Sequence, residues 1–309
     1  MPYDLIIIGG GPAGVAAGVY AARKRLKTLF LTYDFGGQST VSPDIQNWIG
    51  TKSISGEALG RQLKEHLYAY EGENFQIKTG VKVRSVSKAG EQNFTVVTEE
   101  GETFDARAVL VTTGAARRRL EVPGAKEYEQ KGITYCASCD GPVFTDQDVA
   151  VIGGGNAAFE TVMQLTAYCR SVTLLNRGPE FKADQITVEK VQAHPKVKLI
   201  VNAEIQEIRG QQFVTTLVYR DAASGENKEL PVTGIFVEIG FVPATGFVKD
   251  LVKTTPHGAI MVDHRSQRTS VPGVWAAGDC TDGLYHQNNI AAGDAIKALE
   301  DIYNYLHLS

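Results

Sequence analysis

Two cysteines separated by two residues and followed at once by a carboxylate make up the stretch Tyr135-Cys136-Ala137-Ser138-Cys139-Asp140-Gly141. Thiols at this spacing can close a small disulfide ring, and a pair that opens and closes readily is a two-electron redox site. The same spacing also serves as half of a zinc site. Zinc usually takes four Cys or His ligands, typically from two such pairs, and the only other cysteines are the isolated Cys169 and Cys280. The pair is therefore read as redox chemistry, with no metal site.

The elements that must position such a pair are legible around it. Asp4-Leu5-Ile6-Ile7-Ile8 is an apolar, β-branched run, followed by Gly9-Gly10-Gly11-Pro12-Ala13-Gly14 and an alanine-rich stretch to Arg23 with helical composition. Strand, glycine turn and helix together form a dinucleotide-binding unit: Gly9, Gly11 and Gly14 let the backbone approach a pyrophosphate at the positive end of the helix. The next strand, 28–31, ends at Thr32, where an acidic residue often accepts a ribose 2′-hydroxyl. The first site lacks that carboxylate, so its ligand needs other contacts, such as Gly36-Gly37-Gln38. The pattern then repeats at a constant offset: Asp148 to Ile152 followed by Gly153-Gly154-Gly155-Asn156-Ala157-Ala158 matches Asp4 to Gly14. The chain carries two nucleotide-binding units.

Apolar strands ending at Gly114 and Gly240 close the two halves, and alternating runs at 94–97 and 213–218 fit small antiparallel sheets beside each parallel one. The segment after Gly240, with a short strand leading to Asp279 and a helical tail from Asn289 to Leu306, is too small for an independent core. It is expected to rejoin the first domain. The fold class is α/β, with two Rossmann-like, doubly wound domains, the second inserted into the first. The expected bounds are 1–115 with 244–309 for the first domain and 116–243 for the second, which carries the thiols.

Composition bounds the function. The 309 residues are 43% hydrophobic and 21% charged, enough for two packed domains, and a formal net charge of -4 gives no reason to expect nucleic acid or an anionic membrane as partner. The N-terminus passes straight into a strand without a leader-like pattern, so the expected location is cytoplasmic. Four cysteines do not make a disulfide scaffold.

Taken together, the two glycine motifs, Cys136 to Gly141, Phe181-Lys182-Ala183-Asp184-Gln185 and Ala277-Gly278-Asp279-Cys280-Thr281 resemble the low-molecular-weight FAD-dependent thioredoxin reductases. They are also similar to the reductase portion of the alkyl hydroperoxide reductase flavoprotein subunit. The resemblance covers nearly the whole chain. It implies FAD in the first site, held by Gly9, Gly11, Pro12, Ala13, Gly14, Gly37, Gln38, Asn47, Gly114, Asp279 and Gln287. Cys139 is expected next to the flavin and Cys136 toward the partner. Asp140 is the general acid that protonates the departing thiolate, its alternative being a turn residue before Gly141. The resemblance further implies a homodimer and rotation of the second domain about single-residue links near Ala115 and Pro243.

The second site, with Gly153, Gly155, Asn156 and Ala157 at its turn, departs from both relatives. The reductases that use NADPH usually carry His-Arg-Arg-x-x-x-Arg after the second strand, whereas here the segment is Asn176-Arg177-Gly178-Pro179-Glu180-Phe181-Lys182. The NADH-preferring hydroperoxide relative has Glu where Asn176 stands, a carboxylate that would bond a 2′-hydroxyl and repel a phosphate. Losing that repulsion while keeping Arg177 and Lys182 favours NADPH over NADH. Arg117-Arg118-Arg119 is either a docking patch for an acidic partner or a solvated hinge. His286 stands where relatives carry Arg or Lys and is expected to hydrogen-bond. Cys169, in an apolar helix, and Cys280, under the flavin site, are expected in the core, with Trp48 and Trp275 as packing groups.

The resulting reading is a flavin disulfide reductase that passes electrons from NAD(P)H through FAD to Cys136/Cys139 and on to a thioredoxin or thioredoxin-like protein. The hydroperoxide relative carries an extra N-terminal thioredoxin-like module, so the partner here is expected to be a separate protein. Two other readings compete. One is a nicotinamide-independent relative: a dithiol oxidase, or a diflavin or ferredoxin-linked oxidoreductase. The other is a flavin redox sensor without turnover.

Overall fold

The computed structural model describes residues 2–42, 44–90 and 93–308. From the N-terminus the chain runs β1 (Tyr3–Ile8), α1 (Pro12–Arg23), β2 (Thr28–Leu31), α2 (Gly56–Tyr68), β3 (Phe75–Lys78), β4 (Val83–Lys88), β5 (Phe94–Thr98), β6 (Thr103–Val111) and β7 (Ala115–Arg117). It continues through β8 (Ile133–Thr134), α3 (Ala137–Asp140), β9 (Asp148–Ile152), α4 (Asn156–Leu165), β10 (Ser171–Leu175), α5 (Gln185–Gln192) and β11 (Val197–Ile200). Then come β12 (Ala203–Gly210), β13 (Val214–Asp221), β14 (Asn227–Pro231) and β15 (Gly234–Val237), and finally β16 (Phe241–Pro243), β17 (Val274–Ala276) and α6 (Asn288–Leu308). The chain divides into two compact units. The first holds Met1–Val41, Trp48–Ala116 and Val242–Ser309, and the second holds Ser42–Asn47 and Arg117–Phe241.

In the first unit, β3, β2, β1, β6 and β17 form a parallel sheet in that order. Its central strands are apolar on both faces because both are covered. One face packs on α1 and α6, where Ala291, Ala295, Ala298, Leu299, Ile302 and Leu306 present a buried stripe at helical spacing. The other face packs Val86, Phe94, Val96, Val248, Val252 and Ile260. The sequence leads one to expect a separate antiparallel sheet here. Instead β4 and β5 extend from β6 itself, since a nine-residue strand is long enough to pair β1 and β17 along its second half and β5 along its first.

The second unit builds a five-stranded parallel sheet in the order β11-β10-β9-β15-β8 and a separate antiparallel sheet β12-β13-β14. Phe144, Phe159, Val162, Leu165, Leu174 and Phe236 fill one face of the parallel sheet, and Ile133, Ile152, Ile208, Leu217 and Ile235 fill the other. Cys169 lies in this core but past the end of α4 at Leu165, not within a helix. In place of single-residue links, the chain passes between the units through β7 and β16, which pair with each other.

Phe236, fully buried and edge-on to Phe144 with ring centres 5.4 Å apart, is the largest apolar group of β15. Phe236→Ala is expected to lower the second unit's unfolding free energy by about 3–5 kcal/mol, measured by urea titration.

Candidate functional site

The thiol pair sits at the carboxyl end of the second unit's parallel sheet. β8 ends at Thr134, and the chain turns through Tyr135 into the single turn of α3, with Cys136 as its N-cap. Buried Ala137 and Phe144 anchor this turn in the core. Cys136 and Cys139 are joined in a disulfide with Cα atoms 5.3 Å apart, within the span such a bond bridges. The Cys139 N–H donates to the Cys136 sulfur at 3.2 Å. Once the bond opens, that donor favours the anionic form of Cys136.

Asp140 follows directly. Its Oδ2 accepts a hydrogen bond from the Thr134 hydroxyl, whose oxygen in turn accepts the Cys136 N–H at 3.4 Å. Its Oδ1 is buried and makes no hydrogen bond among the described residues. Burial pushes this carboxyl up from its ordinary range, with Asp44 adding to the push, while Thr134 and the charge of Arg117 pull it down. The net direction is upward, so the neutral acid is favoured beside the disulfide. Thr134 escaped the sequence reading because a threonine two residues before a cysteine carries no chemical signature of its own.

A second buried carboxylate lies nearby on the same sheet. Glu238, the residue after β15, pairs with Arg117 at 3.2 Å and accepts the Thr161 hydroxyl at 3.1 Å. The Arg117 guanidinium also lies over the Phe241 ring, 4.8 Å from its centre. Arg117 is thus held inward by a carboxylate and a ring, which corrects its reading as docking patch or solvated hinge. Arg118 and Arg119 are exposed, and Arg119 pairs with Glu129 at 3.5 Å. Burial drives the Glu238 carboxyl up, against the pull of Arg117 and Thr161.

Both glycine turns have the geometry a pyrophosphate needs. In the first unit Gly9 has φ 120°, and a methyl group there would lie 2.4 Å from the Thr112 carbonyl oxygen. One on Gly14 would lie 1.8 Å from the Gly9 oxygen. Gly11 caps α1 with no side chain on the first-turn N–H groups, and the space where its Cβ would stand is open to 4 Å. Pro12 opens α1, Ala13 is buried, and Gly37 with Gln38 begins a 3-10 turn whose Gly37 faces Gly11. Gly114 follows β6 with φ 65°, and Gln287 immediately precedes α6. Asp279 follows β17, its carboxylate 3.5 Å from His286 Nδ1. Asn47 is not grouped with these residues, because 42–47 belongs to the second unit.

The second turn repeats the arrangement. A methyl group on Gly153 would lie 2.4 Å from the Glu238 carbonyl oxygen, and Gly155 caps α4 without a side-chain bond and with open space beside it. Asn156 Oδ1 accepts the Asp184 N–H at 2.9 Å, and exposed Ala157 follows. After β10, Asn176 donates through Nδ2 to the carbonyls of Gly178 and Glu180 at 3.1 and 2.7 Å, so its amide folds the loop. Arg177 and Lys182 are exposed, and neither forms an ion pair among the described residues. Uncapped N–H groups beside empty space are where a dinucleotide phosphate binds.

The remaining thiols are structural. Burial raises Cys169 to about 11 and Cys280 to about 12. Trp275 is buried with its indole N–H on Asp301, and Trp48 is half-buried. Among the described residues no cluster of His, Cys, Asp and Glu could hold a metal ion, and no helix is long and apolar enough to cross a membrane.

Residues 3–295 match the family model described as pyridine nucleotide-disulphide oxidoreductase. The chain is 39% identical to the alkyl hydroperoxide reductase F subunit, an Escherichia coli protein, over 98% of its own length and 58% of that protein's. It is 37% identical to a Bacillus subtilis protein named NADH dehydrogenase, over 99% of its own length and 59% of that protein's. It thus spans about three-fifths of the length of these curated relatives. Among solved structures it is similar to thioredoxin reductase from Streptococcus pyogenes, with TM-score 0.89, 35% identity and 99% coverage of both chains. Thioredoxin reductase from Giardia duodenalis aligns with TM-score 0.90, 35% identity and 98% coverage of both. The two-domain Rossmann architecture and the likeness read from the motifs are borne out. The chain belongs to the pyridine nucleotide-disulphide oxidoreductase family, whose chemistry joins a flavin and a pyridine nucleotide to a disulfide.

Proposed function

We propose that this protein is a thioredoxin-disulfide reductase that takes electrons from NADPH, with FAD in the first unit and the nicotinamide nucleotide in the second. The observation that carries the reading is the closed Cys136–Cys139 disulfide beside the partly buried acid Asp140, in the unit that also holds a glycine turn. The overall change is NADPH, a proton and a disulfide giving NADP⁺ and a dithiol. FAD, when bound, supplies the two-electron carrier between the nicotinamide and the disulfide.

This chain's own residues do the rest. Gly9, Gly11, Gly14, Gly37, Gln38 and Asp279 hold FAD, with Pro12, Ala13, Gly114 and Gln287 as further contacts. Gly153, Gly155, Asn156 and Ala157 present N–H groups to the nucleotide pyrophosphate. As the S–S bond breaks, Asp140 donates its proton to the sulfur that leaves, and solvent restores the acid. The N–H of Cys139 steadies the thiolate of Cys136, which attacks the disulfide of a thioredoxin-like partner, and Cys139 then closes the ring again. The names of the structural neighbours support that partner, and we take the working protein to be a cytoplasmic homodimer. NADPH is favoured because Asn176 offers no carboxylate to repel a 2′-phosphate, while Arg177 and Lys182 supply free positive charge at the same loop.

Anaerobic titration of the yellow protein with NADPH and with NADH is expected to bleach the flavin, faster with NADPH. Bleaching by a dithiol but by neither nucleotide would turn the reading to a dithiol oxidase or an alternative electron donor. Arg177→Ala is expected to raise KM for NADPH about tenfold or more, the size of one lost charge-assisted bond, and to leave KM for NADH unchanged. Native protein reduced with dithiothreitol and treated with iodoacetamide at pH 8 is expected to label Cys136 and Cys139 alone by mass spectrometry. Cys169 and Cys280, raised to about 11 and about 12, stay neutral and buried until the chain unfolds.

A further inference from the structure

We propose that Arg117 and Glu238 are positioning residues of the thiol chemistry: a partly buried charge pair whose balance sets how readily Asp140 gives its proton to the departing sulfur. The inference rests on the reading of Asp140 as the acid. Neither member of the pair was singled out for this role by its sequence context.

The sheet supplies the geometry. β15 and β8 are parallel neighbours with Phe236 opposite Thr134, and Glu238 stands two residues beyond Phe236. With strands about 4.8 Å apart and a rise of about 3.3 Å per residue, the backbones at Glu238 and Thr134 are about 8 Å apart. Thr134 holds Asp140 directly. Arg117 is held between the Glu238 carboxylate and the Phe241 ring, which fixes where its charge lies. That charge reaches both carboxyls, drawing each toward its ionised form.

The other charged groups around the cluster are few. Asp44 faces Asp140, Glu160 on α4 faces Glu238, and Tyr135 lies near Glu129, Arg119 and Arg117. Glu238 is the one among them in ion-pair contact with Arg117. An ionised Glu238 offsets part of the Arg117 charge at Asp140, where burial is the larger effect and favours the protonated form. Removing the Glu238 charge leaves a bare guanidinium that pulls the Asp140 proton off. Removing the Arg117 charge has the opposite sign. Thr161 ties the same Glu238 oxygen to α4, so the pair is held from the nucleotide-side helix as well.

The test measures reduction of the Cys136–Cys139 bond by dithiothreitol between pH 5 and 9, with maleimide quenching and mass spectrometry. In this reaction a dithiothreitol thiolate attacks one sulfur and the other leaves. The second dithiothreitol thiol then closes its own ring and frees the remaining cysteine. The ratio of the parent rate to that of Asp140→Asn isolates the acid. It is expected to be about tenfold at low pH, below the ~10²–10⁴ of general acids because a thiolate leaves easily, and to fall to one as Asp140 ionises. Glu238→Gln is expected to move that fall down by about one pH unit, and Arg117→Met up by about as much. The double variant Arg117→Met/Glu238→Gln, which leaves no unpaired buried charge, is expected to return it near the parent position and guards against misfolding of the singles. A ratio of one at every pH would remove the acid role of Asp140 and this inference with it. A pH-dependent ratio whose midpoint is the same in all three variants would overturn the inference alone.

Discussion

A carboxyl group kept out of water beside a disulfide is the constraint on which the redox site depends. Asp140 stands where it does because β8 is only two residues long and ends beside β15, so the turn that carries the cysteines begins at the covered edge of a parallel sheet. Thr134 contributes one hydroxyl to the carboxyl, and the Cys136 N–H closes on the same hydroxyl oxygen. The small number of donors matters. A carboxylate bathed in several N–H groups would be held toward its ionised form, whereas with a single donor burial is the larger effect.

The two nucleotide turns show one backbone solution used twice. In each, the first glycine lets the turn press on the carbonyl that ends the closing strand, Thr112 in one unit and Glu238 in the other. In each, the helix begins at a glycine without a side-chain cap. They diverge at the end of the second strand. Thr32 turns its hydroxyl onto the Asp34 carbonyl, and Asn176 turns its amide onto two loop carbonyls. At both positions the side chain bonds to its own loop and offers no carboxylate.

The parts of this fold legible in the sequence are those written in consecutive residues. A β-branched run, a glycine turn and an alanine-rich helix are local patterns, and their repetition 144 residues on needed no three-dimensional knowledge. Cys136, Cys139 and Asp140 are adjacent along the chain, so their chemistry was visible too. Thr134 could have been suspected only as a hydroxyl close to that acid. Arg117 and Glu238 are 121 residues apart and meet because β7 and β15 lead to the same place. No spacing rule reports such a meeting, and a run of three arginines looks like surface. The ribbon of β4 and β5 was misjudged for a related reason: periodicity marks strands, but the length of β6 decides whether they join the main sheet.

The Arg117–Glu238 pair is a poor device for stability. Taking two charges out of water costs several kcal/mol for each ion, and apolar residues of the same volume commonly do as well or better. Its partners instead make it a device for placement. Thr161 and Phe241 hold the pair from different segments, so that its field acts at one fixed place. The field of a partly buried pair is screened less than that of a surface pair and acts on other partly buried ionisable groups in reach. In the second unit the Arg117 charge reaches Asp140, the carboxyl beside the disulfide.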